Sequence, residues 1–70
     1  MWCICKANTK QYLWDMNVME RKYDFATFDI ELPDLNWCMA WTTKEGCQQT
    51  IDRIIKLSQY NQGDLEAVEL

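Results

Sequence analysis

The 70-residue sequence contains no histidine, one proline and two glycines. Histidine is the commonest acid–base catalyst near neutral pH and the commonest metal ligand in proteins. The sequence also contains no P-loop, dinucleotide-binding or metalloprotease motif. These absences argue against nucleotide-dependent enzymes and against metal-dependent enzymes that use histidine ligands. We therefore expect a protein that is not an enzyme and that uses no cofactor.

Long apolar runs are missing as well. No segment approaches the ~18 apolar residues that a membrane-spanning helix requires. Residues 1–6 have neither the basic start nor the long apolar core of a signal peptide. The sequence therefore predicts a cytoplasmic protein with no membrane partner, in which the cysteines are reduced.

Aromatic residues are abundant, with four tryptophans, three tyrosines and two phenylalanines in the chain. Hydrophobic residues make up 49% of the sequence, which is too many for a disordered chain. A chain of 70 residues is long enough for only one domain, so we expect a single domain spanning residues 1–70. A domain of this length buries only about 60% of its surface on folding. Each packed aromatic side chain buries roughly 150–250 Å². Such a small core predicts that at least one tryptophan is left exposed for a partner.

Strand-forming composition recurs along the chain. The segments with this composition are 2–6, 11–16, 23–32, 37–42 and 65–70. The first two flank a polar turn, in which Asn8 is suited to a left-handed backbone, and so predict a β-hairpin. Pro33 is expected to end the third segment because proline lacks the backbone donor that a sheet needs. The last segment is expected to form an edge strand.

The helix prediction rests on apolar spacing after residue 42. Thr42, with Glu45 three residues later, fits a capping box. From Cys47 to Leu57 the apolar residues fall on one side of a helical projection. The predicted fold is therefore α+β, an antiparallel sheet of four to five strands with one helix packed on one face. Ile51, Ile54 and Ile55 are expected to lie against the sheet.

The four cysteines admit three interpretations. Cys3 and Cys5 point to the same side of their strand. If this side and the Cys38 side both face the helix that carries Cys47, all four thiols share one layer. The cysteines could then be small buried apolar residues, disulfide partners, or the ligands of a Cys₄ zinc-type cluster. A structural domain built on such a cluster is the main alternative to a binding function. The spacing differs from the paired C-x₂₋₄-C of structural zinc sites.

Negative charge is concentrated in the middle of the chain. The net charge is −4, and residues 15–34 hold six acidic residues against two basic ones. An acidic surface repels phosphates, which argues against direct binding to nucleic acid. It favours a protein partner with a basic surface, because carboxylates steer such a partner during encounter.

The candidate partner-binding residues combine these carboxylates with nearby tryptophans, since aromatic side chains often anchor interfaces. They are Trp14, Asp24, Asp29, Glu31, Asp34, Trp37 and Trp41. In the alternative interpretation the tryptophans pack under the helix and the acids form a solvated rim. If the cysteines face the helix, Trp37, Met39 and Trp41 form an apolar stripe on the other side, which also permits homodimerisation.

Three segments, CKANTKQYLWD, AWTTKEGCQQTIDRII and LEAVEL, resemble parts of small phage-encoded α+β proteins, anti-CRISPR inhibitors among them. The likeness lies in the succession of strands, turns and helix, and it carries over no site residue. It implies a stoichiometric inhibitor of a large nucleic-acid-handling host-defence protein. An acidic surface on such an inhibitor occupies a groove that otherwise holds nucleic acid.

Overall fold

A computed structural model describes residues 1–27 and 38–70. Their elements, in chain order, are β1 (Trp2–Lys6), β2 (Gln11–Asn17), β3 (Lys22–Thr27), α1 (Lys44–Leu57) and β4 (Leu65–Glu69). The strands form an antiparallel sheet in the order β3-β2-β1-β4, and α1 packs against β4 and β1. The predicted α+β class, the first hairpin and the position of β4 at a sheet edge are confirmed.

Left-handed residues close both hairpins of the β1–β2–β3 meander. Asn8 has a φ of 62°, as predicted for the first turn. The Thr9 hydroxyl supports this turn, because it donates to the Lys6 carbonyl oxygen at 2.7 Å and accepts from the Gln11 amide at 3.1 Å. Arg21 has a φ of 57° in the second turn, a backbone conformation that is uncommon for a residue with its side chain.

Helix α1 begins one residue later than the sequence pattern predicts. Thr43, not Thr42, is the N-cap, and its hydroxyl oxygen accepts a hydrogen bond from the Gly46 amide at 3.1 Å. The predicted reciprocal capping box is wrong, because the third helical position is Gly46, which has no side chain to reach back. A Cβ at Gly46 would lie 3.1 Å from the Thr43 hydroxyl oxygen, so the cap also favours glycine there.

Replacing Thr43 with alanine is expected to cost about 1 kcal/mol of stability, because an N-cap hydroxyl satisfies an otherwise unbonded helix amide. In a domain of this size, that corresponds to a fall of about 4–8 °C in melting temperature. Thermal unfolding followed by circular dichroism measures the change. Thr42→Ala is the matched control, and an equal fall in both variants would contradict the assignment of the cap.

The predicted strand 37–42 is wrong in its described part, residues 38–42. Trp41 forms an isolated bridge with Trp2 of β1, in which each amide donates to the other residue's carbonyl oxygen at 2.7 Å. The Met39 amide donates to the Leu13 carbonyl oxygen of β2 at 3.1 Å. Residues 38–42 are therefore hydrogen-bonded to both β1 and β2. These two strands also pair with each other, with Cys5 opposite Tyr12. Because residues 38–42 divide their hydrogen bonds between two strands, they build no continuous ladder with either.

The predicted third strand, 23–32, is observed as β3 at Lys22–Thr27. The remainder of that prediction lies outside the described residues, together with the break predicted at Pro33 and the turn predicted at residues 34–36.

The helix-facing side of the sheet carries the larger buried cluster. Its buried members are Ile4, Leu13, Cys47, Ile51, Ile54 and Leu65. Ile51 and Ile54 are buried as predicted, and Ile55 is partly buried against the same cluster. Met39 and Trp41 also pack there, so the predicted stripe of Trp37, Met39 and Trp41 on the far side is wrong for these two residues. Trp37 lies outside the described residues.

The opposite side of the sheet carries a second buried cluster of Cys3, Cys5, Tyr12 and Cys38. The expectation that all four thiols share one layer under the helix is wrong. Ile4 lies between Cys3 and Cys5 in the strand, and side chains alternate between faces. Placing the larger Ile4 side chain under the helix therefore puts both thiols on the other face, while Cys47 stays with α1.

Candidate functional site

A β-bulge in β2 places Trp14 on the surface. Leu13 pairs with Phe25, but the next pair is Asp15 with Asp24, so β2 advances by one extra residue, Trp14. Such a bulge bends the strand and redirects side chains. Leu13 is fully buried, whereas the Trp14 side chain is 50% exposed. The bulge therefore separates a core residue from a neighbouring exposed aromatic residue.

Two carboxylates lie beside this tryptophan. Asp15 and Asp24 are directly opposite each other in the antiparallel pair, and both are exposed. Like charges in such positions destabilise a sheet. Among residues 1–27 and 38–70, the only ion pair joins Lys22 Nζ to a Glu20 carboxylate oxygen at 3.5 Å, so neither aspartate is neutralised there. We call Trp14, Asp15 and Asp24 the acidic hairpin surface.

The sequence-predicted site residues separate into three groups. Trp14 and Asp24 lie together on the acidic hairpin surface. Trp41 lies elsewhere, partly buried against the helix-facing core and bonded to Trp2. The other predicted residues, Asp29, Glu31, Asp34 and Trp37, lie outside the described part of the chain.

Sequence reasoning missed Asp15 as a member of the site. Its place depends on the strand register, which the bulge shifts by one residue, and no local pattern marks that shift. Met19 is 93% exposed in the turn between β2 and β3, but it is not part of the acidic hairpin surface.

The buried thiols are held in their neutral form. Burial, followed by the nearby Cys38, Cys47 and Cys5 side chains, raises the pKa of Cys3 to about 12. Burial raises the pKa of Cys47 to about 11 and also raises that of Cys5. Nucleophilic attack requires the thiolate, so these shifts disfavour that chemistry.

The hydrogen bonds of the cysteines fit neutral thiols within a core. The Cys47 thiol donates to the Cys3 carbonyl oxygen at 3.5 Å, and the Cys5 thiol donates to the Thr9 carbonyl oxygen at 3.2 Å. All four cysteines belong to the described residues, and no group of three or more histidine, cysteine, aspartate or glutamate side chains in that part of the chain is placed to hold a metal ion. The Cys₄ zinc-type cluster of Cys3, Cys5, Cys38 and Cys47 is therefore not formed.

Within residues 1–27 and 38–70, no helix has the length and apolar character needed to cross a membrane. Comparison with protein-family models, curated proteins and solved structures finds no match for this chain. The functional proposal below therefore rests on the geometry of the chain itself.

Proposed function

We propose that this chain is a small non-enzymatic protein that binds a protein partner with a basic surface. The observation that carries the proposal is the acidic hairpin surface, where a half-exposed tryptophan on a bulge lies beside two carboxylates paired across the strands. Tryptophan is among the commonest energetic anchors of protein interfaces. Carboxylates beside it suit a partner that presents lysine or arginine side chains.

The acidic hairpin surface has two features that are unfavourable while the protein is unbound. Asp15 and Asp24 repel each other across the β2–β3 pair, and Trp14 leaves half of its side chain in water. A basic partner relieves both, because its cations lie between the carboxylates and its apolar surface covers the indole. A second copy of the same surface is a poor partner, since it brings four aspartates together. The homodimer was expected through the stripe that includes Met39 and Trp41, and both of these pack against the helix-facing core, so it is not proposed.

Binding of this kind would inhibit a partner that handles nucleic acid. Surfaces that hold nucleic acid are basic because they neutralise phosphates. An acidic protein that covers such a surface excludes the nucleic acid without contacting it. The proposal thus keeps the role of a stoichiometric inhibitor of a nucleic-acid-handling protein. It also keeps a cytoplasmic setting, supported by buried cysteines that serve as core residues.

The test is affinity capture from a host lysate, followed by binding kinetics with the captured protein. We expect Trp14→Ala to weaken binding by roughly 2 kcal/mol, or about 30-fold, mainly through faster dissociation. Charge reversal by Asp15→Lys with Asp24→Lys is expected to slow association by about tenfold or more at low salt, and added salt should reduce this difference.

Met19→Ala is the matched control, because it removes an even more exposed apolar side chain from the same hairpin. It is expected to leave both rate constants unchanged. Rates that respond neither to Trp14→Ala nor to charge reversal, with all variants folded, would show that the acidic hairpin surface is only a solvated face of the sheet.

A further inference from the structure

A cavity of about 470 Å³ lies between the β2–β3 turn and the segment that follows α1. It is lined by Arg21, Tyr23, Ser58, Gln59 and Tyr60. Tyr23 packs against the helix-facing core, so the cavity lies on the opposite side of the sheet from the acidic hairpin surface. Because α1 packs over β4 and β1, the helix-facing side of β3 meets the residues after the helix instead. The volume is in the range of small-ligand sites.

One of the residues that line this cavity, Tyr23, carries a buried hydroxyl group without an acceptor among the described residues. The Tyr23 hydroxyl is shielded from solvent and makes no hydrogen bond to any described residue. Its ring is held edge-on against the Tyr60 ring, with centroids 6.2 Å apart and an interplanar angle of 77°. Buried polar groups in proteins are nearly always hydrogen-bonded, so an isolated one indicates a missing partner.

Among the described residues, Arg21 is the only charged residue that lines the cavity, and no described carboxylate accompanies it. Arg21 forms no ion pair with any described residue, since the neighbouring Glu20 is paired with Lys22. Its backbone φ of 57° is costly for a residue other than glycine, and such strain is concentrated at binding sites. An arginine that has no counter-ion among the described residues is unexpected in a chain whose net charge is −4.

Two other polar side chains that line the cavity, Ser58 and Gln59, are compatible with a bound anion. The Ser58 hydroxyl donates to the Ile54 carbonyl oxygen at the end of α1 and accepts from the Tyr60 amide at 3.2 Å. The bond from the Ser58 hydroxyl satisfies the Ile54 carbonyl oxygen, which would otherwise repel a nearby negative charge. Gln59 is exposed, and its amide supplies a further donor.

We propose that this cavity binds a small oxyanion, a carboxylate or a phosphate. The Arg21 guanidinium is its charge partner, and forked pairing with an oxyanion is the geometry that arginine favours. The Tyr23 hydroxyl is the second donor. Because this hydroxyl is shielded in the free chain, anion binding requires side chains that line the cavity to shift and expose it. The negative net charge of the chain keeps the affinity low and sensitive to salt.

The test is a titration of the full chain, labelled with ¹⁵N, with sodium succinate and separately with sodium phosphate, against sodium chloride at equal ionic strength. We expect the Arg21 side-chain N–H signal and the amides of residues 21–23 and 58–60 to shift saturably with at least one oxyanion, and not with chloride. Arg21→Gln should abolish saturation, and Tyr23→Phe should weaken binding several-fold. Lys10→Gln removes an exposed cation from the other hairpin turn and should bind as the wild type does.

Saturation with succinate alone assigns a carboxylate ligand, saturation with phosphate alone assigns a phosphate, and saturation with both assigns a general oxyanion site. Wild-type shifts no larger than those in chloride overturn the proposal, as do saturable shifts that persist in Arg21→Gln. The wild-type titration decides the matter by itself if a variant fails to fold. The outcome is independent of the partner-binding experiment, because the two surfaces share no residue.

Discussion

Replacing Ile54 with alanine is expected to lower the free energy of unfolding by about 2–5 kcal/mol. The side chain is 1% exposed and packs in the cluster that joins α1 to β1, β2 and β4. Its removal leaves a cavity where the helix meets the sheet. Domains of this size have little stability in reserve, so the variant is expected to be largely unfolded near physiological temperature. Urea unfolding followed by tryptophan fluorescence measures the change.

Leu57→Ala is the matched control for this experiment. Leu57 is the last residue of the same helix and is 37% exposed, so its truncation is expected to change stability far less. Equal losses in the two variants, or an unchanged unfolding midpoint for Ile54→Ala, would contradict the placement of the helix on the sheet.

Alkaline solution is expected to unfold this protein through its buried thiols. The folded pKa values of about 12 for Cys3 and about 11 for Cys47 lie above the ordinary value of 9.0. The stability that the neutral thiols contribute is fully present below pH 9, where the thiols are protonated in the folded and in the unfolded chain. It is lost as the pH rises from 9 through the folded values, because the unfolded chain ionises first. For Cys3 the loss is on the order of 2–3 kcal/mol by pH 11.

Urea unfolding midpoints measured from pH 7 to pH 11 in the presence of a reductant test this expectation. Cys3→Ala is the comparison variant. It lowers stability at neutral pH by leaving a small cavity, but its midpoint should fall less steeply above pH 9 than that of the wild type. Cys3 also raises the pKa of Tyr12, so the difference in slope reports the Cys3 thiol together with its effect on Tyr12. Parallel pH profiles would show that Cys3 ionises as readily in the folded chain as in the unfolded one.

Local signals in the sequence were sufficient for the first hairpin, the helix and the final strand. Asn8 marks the turn because few other residues accept a left-handed backbone, and the apolar period of α1 identifies its buried side. These features depend on residues close in sequence. The N-cap was misplaced by one position because two adjacent threonines both suit it, and only the contact with Gly46 distinguishes them.

Features that depend on distant residues were not predictable in this way. The bulge at Trp14 becomes visible only when β2 is aligned with β3, and it determines both the exposure of Trp14 and the pairing of Asp15 with Asp24. The face occupied by Cys3 and Cys5 depends on which side of β1 meets the helix. The sequence therefore identified two members of the acidic hairpin surface, Trp14 and Asp24, but not their arrangement.

The central position of β1 has a consequence for the order in which the chain folds. This strand pairs with β4 over five residues, from Trp2 opposite Glu69 to Lys6 opposite Leu65. The β1–β2–β3 meander needs only short loops, whereas the β1–β4 ladder joins segments separated by nearly the whole sequence. Closing so long a loop is slow, because its entropy is lost before the contacts form. The meander can therefore form early, but the core under α1 is completed only when β4 arrives. Until then, the edge of β1 that pairs with β4 in the native sheet is open to pairing with another chain.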